Sequence, residues 1–418
     1  ENFMKDYSNI VSYLKLRGSV GKTGSQNLGA YDWRTLMGSA TYNGAAGIVP
    51  SSLGNDILQW EEQIQKEVGL DYGFWDDRIR GTLGYYQKKV DNLLYSDPVP
   101  TSSSFSSVYQ NIGSLKNRGI EFDVRVDIIK NAPKDLTWNV DFNIARNRTT
   151  LEKLNSSDGY FGGGAYDYFK IEEGGETGRF YGYKDAGRLF MTNEELVGLK
   201  TIDPKTGTLK YYRDDYNYER QGDVYIMDLD GDGQITADGD RTVIGNANPD
   251  FFGGFGSTLY WKGLMLNAVF SYSVGGDRFW DEEKNSSGDM NVYNTSNRIL
   301  DSWTVNPGVN ASYPRAMYYG WGSNSIITDR YIHDASYLRM TALNLSYRLP
   351  KHLYKNSILN AVEFTFQATN LFTWTKYPGM DPQGNFSTTY SAFYNMGIDY
   401  STYPSARTYN FGIKLTLK

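Results

Sequence analysis

Apolar and polar residues alternate with a period of two along most of the chain, the signature of strands with one apolar and one polar face. Between positions 119 and 129, Ile120, Phe122, Val124, Val126 and Ile128 share one face, and Glu121, Asp123, Arg125 and Asp127 share the other. Residues 138–145 set Trp138, Val140, Phe142 and Ile144 against Asn139, Asp141 and Asn143. Further on, Val362, Phe364, Phe366 and Ala368 oppose Glu363, Thr365, Gln367 and Thr369. In the last residues Tyr409, Phe411, Ile413, Leu415 and Leu417 oppose Asn410, Lys414, Thr416 and Lys418. Weaker alternation over 11–21, 58–74, 78–95, 252–262, 264–276 and 332–348 brings the expectation to about ten strands, with no long amphipathic helix.

A soluble antiparallel sandwich also alternates. Two features favour a membrane barrel. The strands often reach ten residues, the length a tilted strand needs to cross a bilayer, where five or six is usual in soluble sheets. The connections also alternate in length. Those at 75–77, 130–135 and 261–263 are short, that at 349–360 is intermediate, and 22–57, 96–112, 151–251, 277–331 and 374–405 are long. Short periplasmic turns and long extracellular loops give this pattern in outer-membrane barrels. Trp75, Trp138 and Trp261 sit beside short turns, where an interfacial girdle is expected. The charged residues opposite the apolar rows need a water-filled or plugged lumen. About ten strands enclose too little space for them, so the sheet is expected to be one part of a wider closed barrel.

Composition narrows the chemistry. The chain has no Cys and only two His, His333 and His352, which leaves no thiolate site and little room for a histidine metal centre. A net charge of −6 speaks against nucleic acid as a partner. Glu282/Glu283 and Asp214/Asp215 are adjacent in sequence and so diverge in extended chain, which makes them poor glycosidase pairs, and no other catalytic constellation stands out. An enzyme is not expected. The first residues, ENFMKDYSNI, carry neither an initiator Met nor a signal-peptide pattern, so the chain is expected to begin inside a longer protein.

One stretch, MDLDGDGQITADGDR at 227–241, opens like a calcium loop. Asp228, Asp230, Asp232, the Gln234 carbonyl and Asp238 or Asp240 are candidate oxygen ligands for calcium or, second, magnesium. The twelfth place, which an EF-hand fills with a bidentate Glu, is Gly239, and no helices flank the loop. The expectation is a fastener that orders a long loop; the alternative is an Asp/Gly turn held by its own hydrogen bonds.

Several segments are similar in order to the SusC/RagA family of TonB-dependent outer-membrane transporters of Bacteroidetes. They are YLKLRGSVGKTGSQNLGAY at 13–31, LQWEEQIQKEVGLDYGF at 58–74, NIGSLKNRGIEFDV at 111–124, YLRMTALNLSYRLP at 337–350 and ATNLFTWTKYPGMDP at 368–382. The Asp-Gly-rich loop followed by Asp240-Arg241 and Ile244-Gly245 also resembles the family. Members commonly end in an aromatic residue, whereas this chain ends in Lys418. The resemblance implies an all-β fold, the C-terminal portion of a 22-stranded antiparallel transmembrane barrel spanning 1–418, with 151–251 and 277–331 as long extracellular loops. The plug and N-terminal domains are not among these residues.

It further implies import of oligosaccharides, or in some members peptides, across the outer membrane. The implied partners are a SusD-like surface lipoprotein lid in a two-plus-two assembly, and TonB–ExbB–ExbD acting through the N-terminal part. Tyr160, Phe161, Tyr166, Tyr168, Phe169, Trp280, Trp303, Tyr318, Tyr319 and Trp321 are then candidate contacts for cargo or lid. Asp167, Asp277, Arg278, Asp281 and Arg315 are candidate hydrogen-bonding neighbours. The bland alternative packs these aromatics loop on loop or into the protein interface. The rival function is a soluble, secreted, calcium-stabilised β protein that binds glycans.

Overall fold

The computed structural model describes residues 7–417 except 8, 26–28, 106, 112, 133–134, 155–159, 163–167, 193–194, 196–200, 203–208, 211–219, 290–293, 309, 317–323, 325, 356–357 and 385–395. Ten long strands form one antiparallel sheet: β1 (Val11–Ser25), β2 (Glu61–Phe74), β3 (Ile79–Asp91), β4 (Gly113–Ala132) and β5 (Leu136–Leu154), followed by β6 (Phe251–Trp261), β7 (Leu264–Val274), β8 (Tyr337–Arg348), β9 (Leu359–Thr375) and β10 (Thr408–Leu417). Each pairs with the next, so the sheet is an unbroken meander from β1 to β10. All ten strands expected from the alternation are present. Smaller strands lie in the long connections.

Register carries the alternation across the whole sheet. One row runs Leu16, Leu70, Leu83, Phe122 and Ile144 through β1 to β5. A matching row runs Phe142, Phe255, Phe270, Met340 and Phe372 through β5 to β9. The opposite face pairs Asp123 with Asn143, Arg125 with Asp141, Asn267 with Asn344 and Gln367 with Asn410. A slip of one residue would turn every apolar side chain to the polar face. Where β8 and β9 meet, the pairing shifts between Met340 and Ala342, with Asn370 in left-handed backbone at φ 52°. This irregularity keeps Leu338 and Met340 on the same face as Leu343 and Leu345.

Two of the short connections are tight turns. Lys262 and Gly263, at φ 48° and 85°, make the two-residue hairpin whose twist matches its strands. Trp75, Asp76 and Asp77 all take positive φ between β2 and β3. Trp75 and Trp261 are exposed at this end, and Trp138 donates from Nε1 to Ser257 Oγ at 2.9 Å. That placement fits the aromatic girdle expected from the sequence.

β4 and β5 run for 20 and 19 residues, so at about 3.4 Å per residue they extend well past a hydrocarbon layer roughly 30 Å thick. Their far ends lead into the long connections. The buried core lies there, above the sheet.

Candidate functional site: the cap built from the long loops

Two clusters of buried side chains organise the cap. In the first, Tyr168, Phe169, Phe180, Ala247, Phe279, Tyr331 and Ile398 pack together. They sit on, or directly beside, strands of two small sheets. Arg179–Tyr183 pairs with Phe169–Ile171 and with Arg241–Asn246, while Asp277–Trp280 pairs with Ile332–Asp334 and, in parallel, with Ile398–Asp399. Alternation aims Phe180 and Phe279 inward. Their neighbours are aromatic: Phe169 stacks 5.0 Å from Phe180, and Tyr168 lies 4.8 Å from Phe279. In the second cluster Leu189, Phe190, Val224, Ile226 and Ile235 pack beneath Trp303, which lies across Gly222.

Buried charge is threaded through these clusters, and each charge has partners. Asp223 is fully buried. Arg315 Nε lies 2.7 Å from its Oδ1 and Nη2 donates to Oδ2 at 3.1 Å. Asn324 Nδ2 donates to Oδ1 at 2.8 Å and the Arg220 N–H to Oδ2 at 2.7 Å. Burial nevertheless pushes the Asp223 carboxyl above the ordinary aspartate value, with Arg315 opposing it. Asp381 goes the other way. Burial raises it, but Arg339 at 2.6 Å and the N–H groups of Gln383 and Ser405 outweigh burial and hold it below that value. This pair ties the loop after β9 back to β8.

The expected cargo and lid contacts divide. Tyr168 is 4% exposed and donates its hydroxyl to Asp281 Oδ1 at 2.7 Å, so it is a core residue of the cap. Phe169 is buried beside it. Arg278 spends its guanidinium on the carbonyls of Gly384, Ala247 and Asp277, and burial lowers its pKa. Arg315 is bound to Asp223. Tyr168, Arg278 and Arg315 hold structural positions in the cap, because each donor already has a protein acceptor. Asp277 accepts from the Asn246 N–H and belongs to the same scaffold. Trp303 is half-buried at the rim of the second cluster. Trp280 is half-buried at the centre of a polar group, with the Arg298 guanidinium 4.6 Å from its ring centroid and the His333 ring edge-on to it at 5.9 Å between centroids. Tyr166, Tyr318, Tyr319, Trp321 and Asp167 lie outside the described residues, as do the side chains of Tyr160 and Phe161.

The group beside Trp280 was not legible as a site. Glu283, nearly buried, accepts from Arg298, from the Tyr313 hydroxyl at 3.3 Å and faces His333 Nε2 at 2.5 Å. Its members lie up to 50 residues apart, and no local spacing announces such a cluster.

The calcium-like loop has a partly prepared geometry. One carboxylate oxygen from each of Asp228, Asp230 and Asp232 lies within 4.8 Å of the others. Asp228 accepts from the N–H groups of Gly231 and Gly233 at 2.7 and 2.8 Å, and Asp232 from that of Gln234 at 2.8 Å. These turns gather three acidic groups that repel one another in the absence of a cation. The expectation for the closing ligand is corrected. Asp240 is fully buried, and its two oxygens accept from the N–H groups of Leu229 and Thr236, both at 2.7 Å. Asp238 is exposed and stands outside the cluster of three. Gly239 has no side chain to offer, and a Cβ there would lie 2.3 Å from Asp230 Oδ2. Three carboxylates, the Gln234 carbonyl and water suit a weak oxygen-ligated cation such as calcium.

A sheet apolar on one side and charged on the other, tight turns at one end and an ordered cap at the other, defines a segment of an outer-membrane β-barrel. The family model for the TonB-dependent receptor-like β-barrel matches residues 7–371, and the chain belongs to that family. It is 32% identical over 437 residues to TonB-dependent receptor P3 of Formosa agariphila, covering 99% of this chain and 40% of that protein. It is 29% identical over 431 residues to TonB-dependent receptor SusC of Bacteroides thetaiotaomicron, covering 99% of this chain and 38% of that protein. Among solved structures, the RagAB peptide transporter superposes with a TM-score of 0.73 at 27% identity, over 97% of this chain and 41% of the other. The RagAB peptide importer in its open-open state matches with a TM-score of 0.73 over the whole chain. The chain thus spans about 40% of the length of the relatives it matches. It is an outer-membrane protein of the SusC/RagA kind, and the soluble glycan-binder alternative falls.

Proposed function

We propose that this chain forms the C-terminal part of a SusC-like importer that brings oligosaccharides or other oligomeric nutrients across the outer membrane. The polar face of the sheet lines the lumen, and the cap is extracellular, carried by the loops 151–251 and 277–331. A SusD-like lipoprotein closes over the cap in a two-plus-two assembly. TonB, ExbB and ExbD act through the remaining part of the full-length receptor. The observation that carries this reading is the separation of an apolar from a polar face over ten strands, in a chain that aligns along 99% of its own length with 38% of SusC. A peptide cargo is the second choice, favoured by the likeness to the RagAB peptide transporter. The test is uptake of fluorescent oligosaccharides and peptides by cells with the full-length gene deleted and restored. Uptake should require the gene and TonB; uptake that persists without either overturns the reading.

The Asp228–Asp232 loop is assigned as a structural calcium site within the same proposal. Calcium in the millimolar range should raise the melting temperature of the purified receptor, and Asp230→Asn should abolish the gain. An equal gain in both proteins rules the site out.

A further inference from the structure

On the face of the sheet opposite the lumen, the apolar rows of β1 to β5 stop at a defined level, and cations begin. Register places Lys66, Gln87 and Arg118 in one row, directly above the row of Val68, Tyr85 and Ile120 in which Arg146 is the next member. The row above holds Lys22, Lys89 and Lys116. These last three are paired: Lys22 with Glu62 at 2.8 Å, Lys89 with Asp91 at 2.9 Å, and Lys116 with Glu152 at 3.0 Å. Lys66, Arg118 and Arg146 are exposed and have no ion pair among the described residues.

Three things make this arrangement specific. The lumen-facing arginines of the same strands do have partners: Arg17 with Glu67 and Asp71, Arg80 with Asp127, and Arg125 with Asp127. At the same end of β6 to β9 the outward residues are Phe251, Tyr272, Leu338 and Trp374, with no charge among them. Finally, an apolar groove of about 360 Å³ runs down the outward face from Arg146, floored by Leu83, Phe122 and Ile144 and walled by Phe251. Asp250 at its lip is already held by Arg148 at 3.0 Å. Ile120 to Ile128 is eight residue steps, about 27 Å along the strand and roughly 20 Å of membrane depth once tilted. The unpaired cations therefore stand at the boundary between acyl chains and headgroups.

We propose that this outward patch on β1 to β5 binds a phosphorylated acyl lipid of the outer leaflet, its phosphates on Lys66, Arg118 and Arg146 and an acyl chain in the groove. The assignment rests on the cap being extracellular. Guanidinium and ammonium groups at a low-dielectric boundary hold phosphate by charge-assisted hydrogen bonds, and the neighbouring apolar floor selects phosphate that carries an acyl chain.

The test uses the full-length receptor in a non-ionic detergent, titrated with phosphorylated lipid A and with the same lipid A stripped of phosphate, and read by native mass spectrometry. The phosphorylated lipid should stay bound and the stripped one should bind at least about tenfold more weakly. The triple variant K66Q/R118Q/R146Q should lose that difference. K15Q/K88Q/R125Q, which removes the same charge from the lumen face, should keep it. Equal binding of the two lipids by the wild type overturns the proposal and needs no variant that folds; equal loss in both triple variants overturns it too. Uptake by cells is a separate readout, so the failure of the importer reading is distinguishable from the failure of this one.

Discussion

Leu16, Val20 and Phe411 stand on the sheet with 75% or more of their surface exposed, whereas Phe180, Phe190 and Phe279 in the cap have none. The same kinds of side chain do different work in the two regions. On the sheet, apolar residues form an outward band whose solvent is lipid, and the strands are held by ladder hydrogen bonds and register. In the cap, apolar residues form small cores as in a soluble domain, and charges such as Asp223 and Asp381 are buried with their partners. Specificity of structure comes from alternation in the sheet and from long-range side-chain packing in the cap.

The largest effect is expected in the cap. Phe279 touches Tyr168, Phe180 and Tyr331 and joins the two small sheets. Phe279→Ala should destabilise the cap by about 3–5 kcal/mol. Hydrogen exchange in the full-length receptor should then accelerate at 168–183 and 277–281 and stay slow in β4 and β5. Loss of protection in the long strands as well would show that the two regions do not fold independently.

The sheet gives the next largest effect. Phe142 faces outward, stacked 6.1 Å from Tyr272, while Asn139 on the same strand faces the lumen beside Asp127. Phe142→Arg should cost about 2–4 kcal/mol, by placing a charge in the lipid-facing band. Asn139→Arg should be close to neutral. The fraction of heat-modifiable, folded receptor in outer membranes measures both. A lower yield for Asn139→Arg than for Phe142→Arg would mean that the faces are assigned the wrong way round.

How much was legible follows from the same contrast. Ile120, Phe122 and Val124 announce their strand because their pattern is local and repeats every second residue. Ten strands, their order and the short-turn tryptophans could all be read in this way. Glu283, Arg298 and His333 could not, since nothing near any of them in sequence hints at the others. Arg278 and Arg315 were hard to read for a related reason: a loop arginine beside aromatic residues looks the same in sequence whether it meets cargo, a backbone carbonyl or a buried carboxylate. Asp228, Asp230 and Asp232 were legible as a cluster because a tight loop gathers neighbours. Asp240 was misassigned because only the fold shows both of its oxygens taken by backbone. The Asn43–Gly44 pair, at φ 48° and 82°, joins Met37–Tyr42 to Ala45–Pro50, a hairpin signal present in the sequence within a segment read only as loop.

The smallest expected effect concerns protons. Asp223 has its pKa raised in the folded cap, chiefly by burial. The folded state therefore binds a proton at this carboxyl more tightly than the unfolded chain does. Its ionised form costs stability above the folded pKa, and that cost is relieved as pH falls toward the ordinary aspartate value of about 3.9. Asp381, held low, contributes in the opposite sense and begins to weaken the cap only as pH falls through its own lowered value. Above the ordinary aspartate value of about 3.9 the Asp223 effect therefore acts without opposition from Asp381. Asp223→Asn keeps a hydrogen-bonding side chain beside Arg315 and Asn324 but removes the titration. Hydrogen exchange at Val224 and Ile226, followed from neutrality down to the ordinary aspartate value of about 3.9 after correction for intrinsic rates, should slow in the wild type relative to the variant. A parallel pH dependence in the two proteins would assign the effect to another group in the cap. Greater protection of the variant at every pH would show that the Asp223–Arg315 pair is a net burden on the cap, retained for the geometry it imposes on the loops.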